Sequence, residues 1–272
     1  MLRLRPLLQS TMDSKAKNVG SQTRPSASKR AIPEKYFSNT IAVSSRLRPN
    51  GMKASEDFLQ QERDLKAWLW ATPNSNRISI LFEELGLDYA VVPINIRRGE
   101  QHAPDVVARN PYGKVPIVSW NDASGERVLF ESGAILLDFA QRHGRFLPET
   151  GQALSETLAW LMVALTGLGP AMGQAHHWTD LAPSKPEEAR AHSVGLVRRA
   201  YIVLEKRLSE VQYLGGAYSI ADIAAFPWIS RSNWATLKLQ DFPHLARWHD
   251  RVASRPAVVI GMSKPEGAVL QD

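Results

Sequence analysis

Apolar residues after position 62 first follow a mixture of strand-like and helix-like spacing. Leu65–Trp70 and Tyr89–Ile96 are typical of strands, and the residues between them contain one apolar helix face that ends at Gly86. The residues of that face are Ile78, Leu81, Phe82 and Leu85. Pro93 cannot donate a hydrogen bond to a neighbouring strand, so we expect the second strand at a sheet edge.

Two further strands and a helix follow. Val115–Trp120 and Arg127–Phe130 flank a turn-rich segment and predict an antiparallel hairpin, and a helix is expected over 132–143. The predicted order is β-α-β and then β-β-α. Residues 63–146 therefore predict a small α/β domain.

Strand patterns end after Pro148. Apolar residues at helical spacing predict a long helix over 154–168 that is interrupted at Gly169-Pro170, a second long helix over Pro186–Leu208, and two more over 219–228 and 243–254. Ser219 and Asp222 match a capping box at the start of one of them. Residues 152–262 thus predict an all-α domain.

The net charge is distributed unevenly along the chain. The 272 residues carry a net charge of +6, but residues 1–51 alone carry +8 and residues 52–272 carry −2. Residues 1–62 therefore predict a disordered basic extension, and the folded part offers no basic groove. We expect no nucleic-acid partner.

The extension has two interpretations. Met52 would open a self-contained chain, and the residues before it would then not belong to the working protein. Alternatively, the Arg-rich, Ser-rich and acid-poor composition is typical of an organellar transit peptide. We expect a cytoplasmic protein, with organellar import as the alternative if the extension is real and the source is eukaryotic.

Other classes are excluded by composition. The sequence contains no cysteine, so disulfides, cysteine-ligated metals and a protein thiol nucleophile are excluded. No uninterrupted apolar run approaches the ~20 residues that span a bilayer, and we expect no membrane partner. His176 and His177 are adjacent on a helix and point about 100° apart, so we predict no metal site.

Three motifs offer chemistry for one kind of ligand. Thr72-Pro73-Asn74 starts a helix after a strand, where N–H groups, a hydroxyl and an amide can stabilise an anion such as a thiolate. A cis bond between Val115 and Pro116 would leave the Val115 main chain free to pair with a peptide-like ligand.

The third motif offers groups that can bind an amino-acid end of such a ligand. Glu131-Ser132 opens a helix directly after a strand, so its N–H groups and hydroxyl suit a carboxylate, and Glu131 suits an ammonium. Together the motifs describe the zwitterionic end of an amino acid that is attached to a peptide-like chain.

The chain from about Leu65 to Met262 resembles the glutathione transferase superfamily, and most of all its Nu-class disulfide-bond oxidoreductases and the fungal nitrogen-regulatory, prion-like members. The residues that carry the resemblance are Thr72-Pro-Asn74, Gly99-Glu-Gln101, Asn110–Pro116, Phe130–Leu136, Gly169–Gln174, His176-His177, Ser219–Asp222 and Arg255–Ala257. The resemblance implies a thioredoxin-like N-terminal domain, an all-α C-terminal domain and a homodimer.

The resemblance also implies glutathione as co-substrate and assigns its contacts. Thr72 and Asn74 would be catalytic and would face the sulfur. The remaining glutathione-binding residues would be Gln101 and Lys114 at the glycine end, Val115 and Pro116 at the cysteinyl backbone, and Glu131 and Ser132 at the γ-glutamyl end.

A second glutathione or an acceptor would lie near Gln174, His177, Trp178 and His192. Nu-class proteins usually carry an Arg where this chain has His192. A neutral His lacks the permanent charge and the forked donors of Arg, so we expect this second site to be weaker or pH-dependent.

The sequence thus favours a glutathione-dependent disulfide-bond oxidoreductase that acts on a small disulfide. Two alternatives stay open. One is conjugation of glutathione to an electrophilic small molecule, or cleavage of an ether. The other is a non-catalytic, glutathione-binding regulatory protein.

Overall fold

The computed structural model describes residues 62–268. The predicted basic extension over residues 1–62 therefore lies outside the described residues, apart from Glu62.

The first part of the described chain forms a four-stranded mixed sheet. Its strands are β1 (Arg63–Leu69), β2 (Ala90–Pro93), β3 (Ile117–Asp122) and β4 (Gly125–Phe130). They lie in the order β2-β1-β3-β4, with β1 and β2 parallel and the other two pairs antiparallel. Pro93 pairs with Leu69 on the edge strand, as predicted from its missing N–H.

Three helices accompany the sheet: α1 (Pro73–Leu85), α2 (Pro104–Arg109) and α3 (Ser132–His143). The sequence pattern did not predict α2, because it has six residues and only Val106 is buried, too few for a periodic signal. Two short 3₁₀ turns, Ile96–Arg98 and Glu100–His102, occupy the end of the predicted second strand and the residues after it. This α/β unit is the expected thioredoxin-like domain.

The second part of the chain is helical. Its helices are α4 (Gly151–Met162), α5 (Gly169–His176), α6 (Glu187–Leu208), α7 (Ile220–Ile229), α8 (Pro243–Ala253) and α9 (Pro256–Met262). The predicted capping box is present at α7, where the Ser219 hydroxyl and the Asp222 carboxylate satisfy backbone N–H groups.

The prediction of an interruption at Gly169-Pro170 was wrong. Val163–Leu168 winds as a wider π-helix between α4 and α5, so the helical path continues from Gly151 to Leu181. The wider turn accommodates Pro170, which has no N–H to donate and would crowd the preceding turn of a regular helix. Among the described residues, only this stretch is long and apolar enough to cross a membrane by length and composition alone, a test that core helices also pass.

Helix α1 is enclosed on both sides. Ile78, Leu81 and Phe82 belong to the main hydrophobic core, while the polar side chains of Ser75, Asn76, Arg77 and Ser79 are also buried. Ser79 Oγ and Asn76 Nδ2 donate to the Gly261 carbonyl of α9, at 2.6 and 3.2 Å. The first turn of α1 is thus held between the sheet and the helical domain.

Candidate active site

A small cavity lies where the first turn of α1, the loop before β3 and the start of α3 meet. Its volume is about 160 Å³. The residues that line it are Asn74, Asn110, Tyr112, Lys114, Val115, Pro116, Glu131 and Ser132. Six of the eight residues predicted for catalysis and glutathione binding are therefore brought together, and Thr72 and Gln101 are not among the lining residues.

The loop before β3 is shaped by Asn110. The Asn110 amide is buried, donates to the Lys114 carbonyl at 2.7 Å and accepts from the Tyr112 N–H at 3.0 Å. The Val115–Pro116 bond that follows is cis. Asn110 was part of the sequence motif but was not predicted as a lining residue, because its role depends on the closed loop.

The start of α3 supplies a second wall. Ser132 is the first helical residue, and the first N–H groups of a helix have no partner within it. Glu131 precedes it with φ +69° and is exposed. This arrangement directs hydrogen-bond donors and one carboxylate toward the same cavity, as an amino-acid zwitterion requires.

The start of α1 supplies the third wall. Thr72 is the N-cap: its Oγ1 accepts from the Ser75 N–H at 3.2 Å and donates to Ser75 Oγ at 3.0 Å. Asn74 lies two residues on and lines the cavity. Its carbonyl oxygen accepts from Arg77 Nη1 at 2.8 Å and from Trp228 Nε1 at 3.1 Å.

Arg77 is a functional candidate that sequence reasoning missed. Its guanidinium is buried and donates to Asn74 Oδ1, to Ser132 Oγ at 3.0 Å and to the carbonyls of Ala224 and Ala164 at 2.8 and 3.3 Å. Burial lowers the pKa of Arg77 to about 9, against the opposing effect of the Glu131 charge, so the side chain stays cationic at neutral pH. The only available signal was an arginine one turn after Asn74.

The two residues predicted for the glycine end occupy different positions. The Lys114 amine lies 3.9 Å from the centre of the exposed Tyr112 ring. Gln101 Nε2 lies 3.2 Å from His102 Nε2, and Gln101 Oε1 is buried without a hydrogen-bond partner. Lys114 lines the cavity and Gln101 does not. The assignment of both residues to the glycine end stays a prediction.

The residues predicted for the second site are spread over the helical domain. Gln174 lines an apolar groove of about 600 Å³ between α4–α5 and α6, together with Met162 and Val203. His177 is exposed and contacts Trp178 edge to face, and His192 is exposed on α6. Their shared role stays a prediction.

Aromatic residues of the helical domain form a chain of ring contacts that ends at Asn74. Trp228, which donates to Asn74, packs against Trp234, and the His176 ring stacks on Trp234 with 3.8 Å between centroids. Trp228, Trp234 and Trp248 belong to the core as predicted. Within residues 62–268, no group of side chains could hold a metal ion.

The fold and the cavity match a known family along most of the described chain. The Glutathione S-transferase, N-terminal domain, matches residues 63–137, and the Glutathione S-transferase, C-terminal domain, matches residues 136–256. The chain belongs to the glutathione S-transferase family, and the predicted enzyme class is thereby confirmed.

Individual relatives agree with this assignment. Disulfide-bond oxidoreductase YfcG of Escherichia coli is 40% identical over 190 residues, which cover 68% of this chain and 88% of the relative. Protein URE2 of Candida glabrata is 28% identical over 232 residues, covering 70% and 64%. A Pseudomonas putida glutathione transferase, solved with one glutathione disulfide per subunit, has a TM-score of 0.71 and 32% identity over 75% of this chain and 92% of that one.

Proposed function

We propose that this protein reduces small disulfides with glutathione. The observation that carries the proposal is the cavity that joins Asn74 at the first turn of α1 to Val115, Glu131 and Ser132. An amide donor, the main chain of Val115 beside the cis bond and groups for an amino-acid zwitterion fit the sulfur, the cysteinyl backbone and the γ-glutamyl end of glutathione. The disulfide-bond oxidoreductase name of the Escherichia coli relative and the glutathione disulfide in the Pseudomonas putida structure support the reaction.

The chain has no cysteine, so every sulfur in the exchange comes from the substrates. Bound glutathione loses its thiol proton to solvent, and the thiolate attacks one sulfur of the disulfide; the other sulfur leaves as a thiolate and takes up a proton. A second glutathione then attacks the mixed disulfide, which yields glutathione disulfide and the second thiol. The rate depends on the thiolate fraction, so lowering the thiol pKa is the protein's main contribution.

Asn74 is the proposed thiolate donor. Its carbonyl oxygen is occupied by Arg77 and Trp228, so its Nδ2 group is the donor left for the cavity. Thr72 contributes by capping α1, which keeps the first-turn N–H groups in place beside the developing charge.

The test is glutathione-dependent reduction of hydroxyethyl disulfide by wild type, Asn74→Ala and Asn74→Asp. A hydrogen bond to a charged group contributes about 1.5–3 kcal/mol, so we expect kcat/KM to fall roughly 10- to 150-fold in Asn74→Ala. Asn74→Asp keeps the shape and replaces the donor with a carboxylate, and should lose at least as much. Unchanged turnover in both variants would contradict the assignment of Asn74.

Two further measurements on the same enzyme preparation, conjugation activity and glutathione binding, distinguish disulfide reduction from the alternative functions. Conjugation with an electrophile in the absence of disulfide turnover would favour transferase chemistry, with the acceptor near Trp178 and His192. Glutathione binding without either activity would favour a regulatory role.

We further propose that the protein is a homodimer that buries the outer face of α4–α6. Met162, Ile202 and Val203 are 41, 56 and 44% exposed there, and the apolar groove lies beside them. Exposed apolar side chains grouped beside an apolar groove are typical of an interface. Light scattering should give twice the monomer mass for wild type and one monomer for Val203→Glu; a monomeric wild type would contradict the proposal.

A further inference from the structure

We propose that Arg77 is a positioning residue: it orients the Asn74 amide and the Ser132 hydroxyl so that both donate hydrogen bonds into the cavity. One guanidinium nitrogen, Nη1, donates both to Asn74 at the proposed sulfur end and to Ser132 at the proposed γ-glutamyl end. This inference rests on the proposed function, because it explains how the same site can both hold an amino-acid end and activate a thiol.

At the sulfur end, Arg77 orients an amide. An Asn side chain can turn either its oxygen or its nitrogen toward a neighbour. Arg77 Nη1 and Trp228 Nε1 are both donors without acceptor capacity, so the Asn74 atom facing them must be the oxygen. The amide nitrogen then takes the opposite side and carries its two hydrogens toward the cavity, where a thiolate needs donors.

At the γ-glutamyl end, Arg77 orients a hydroxyl. Ser132 Oγ accepts from Arg77 Nη1 at 3.0 Å, and Ser132 is buried. The guanidinium has donors and no acceptor, so a lone pair of the Ser132 oxygen faces Arg77 and the hydroxyl proton points away from it. That proton is then available to donate to a carboxylate in the cavity. Without Arg77, the Ser132 hydroxyl could rotate and act as an acceptor instead.

The guanidinium is itself held from the helical domain. Its Nε and Nη2 groups donate to the Ala224 carbonyl of α7 and the Ala164 carbonyl of the π-helical turn. A planar fork with five donors can satisfy all four acceptors in one orientation, whereas a lysine ammonium has three donors at a single point. Glu131 is the acidic neighbour that favours the charged form of Arg77.

The test compares wild type with Arg77→Lys, which keeps the charge and loses the fork. The first readout is the pKa of the bound glutathione thiol, followed by thiolate ultraviolet absorbance against pH. The second is the dissociation constant of S-methylglutathione, which has no thiol and reports on the rest of the site. We expect the thiol pKa to rise by about one unit and the dissociation constant to rise roughly tenfold.

Arg255→Lys is the matched control. Arg255 also joins α1 to the helical domain, through Nη2 to Glu84 at 2.8 Å, but it is not a lining residue of the cavity. We expect it to lower the melting temperature and leave the thiol pKa unchanged. Trp228→Phe removes the second donor to Asn74 together with part of a core ring, so it should lower the melting temperature and raise the thiol pKa while leaving S-methylglutathione binding unchanged.

The outcomes separate the two proposals. A wild-type thiol pKa equal to that of free glutathione would refute thiol activation. The dissociation constant of S-methylglutathione in wild type and Arg77→Lys would then be the remaining test of the role of Arg77. A folded Arg77→Lys protein with both readouts unchanged would overturn the inference. If Arg77→Lys does not fold, a double-mutant cycle of Asn74→Ala and Ser132→Ala replaces it: non-additive effects on glutathione affinity support the shared guanidinium, and additive effects refute it.

Discussion

Gly261 of α9 packs directly against the main chain of α1, and Gly261→Ala tests how α9 holds α1. A Cβ atom at Gly261 would lie 2.6 Å from both the N and Cα atoms of Ile80, where ordinary contacts begin near 3.4 Å. Both neighbours are main-chain atoms of a buried helix and cannot rotate away. Helix α9 would therefore have to move outward by about 0.8 Å.

The energetic cost has two parts. Overpacking of this kind costs about 1–3 kcal/mol. The shift also lengthens the bonds from Ser79 Oγ and Asn76 Nδ2 to the Gly261 carbonyl, each of which contributes about 0.5–1.5 kcal/mol. We expect a loss of about 2–6 kcal/mol in the free energy of unfolding, which lowers the melting temperature by roughly 4–24 °C in a protein of this size.

Gly195→Ala provides the control, measured by the same thermal and denaturant unfolding. Gly195 lies within α6, and a Cβ atom there would meet nothing within 4 Å. The change should therefore stabilise the protein by about 0.5–1 kcal/mol through helix propensity. Equal melting temperatures for the two variants would refute the packing argument for α9.

Two further predictions concern ionisable residues. Burial raises the pKa of Asp222 from 3.8 to about 6, so the folded state binds a proton that the unfolded state releases, and the free energy of unfolding should fall as pH rises through that interval. Denaturant unfolding from pH 4 to 7 should show this fall in the free energy of unfolding for wild type and not for Asp222→Asn. The same pH dependence in both proteins would contradict the prediction. His192→Arg should strengthen binding of oxidised glutathione in calorimetry by restoring a permanent charge and a fork of donors, and no gain would refute the role given to His192.

Elements with local signals were predicted closely. The Thr72 cap, the left-handed Gly86 at the end of α1 and the capping box of Ser219 and Asp222 all appear where the pattern placed them. Helix α2 and the continuous path through Gly169-Pro170 were not predicted. A short helix with one buried residue has no period to detect. The π-helical turn lies where Gly169 approaches Trp228 of α7, a contact between residues far apart in sequence.

The candidate site was predicted only in part for a related reason. The motifs that line the cavity are contiguous in sequence, so each could be recognised from a few neighbouring residues and its place between a strand and a helix. Gln174, His177 and Trp178 lie on one helical path and His192 lies on α6, so whether they share a site depends on how these helices pack.

By itself, the sequence determined the order of the elements apart from α2, the two-domain family and the motifs that line the cavity, because capping, turn formation and hydrophobic spacing act over a few residues. The tertiary structure alone decided that the polar face of α1 is buried and that Arg77 unites the site. Its partners Ser132, Ala164 and Ala224 lie 55, 87 and 147 residues away along the chain. A buried charge is stable only where such distant acceptors converge, and only the folded packing brings them together.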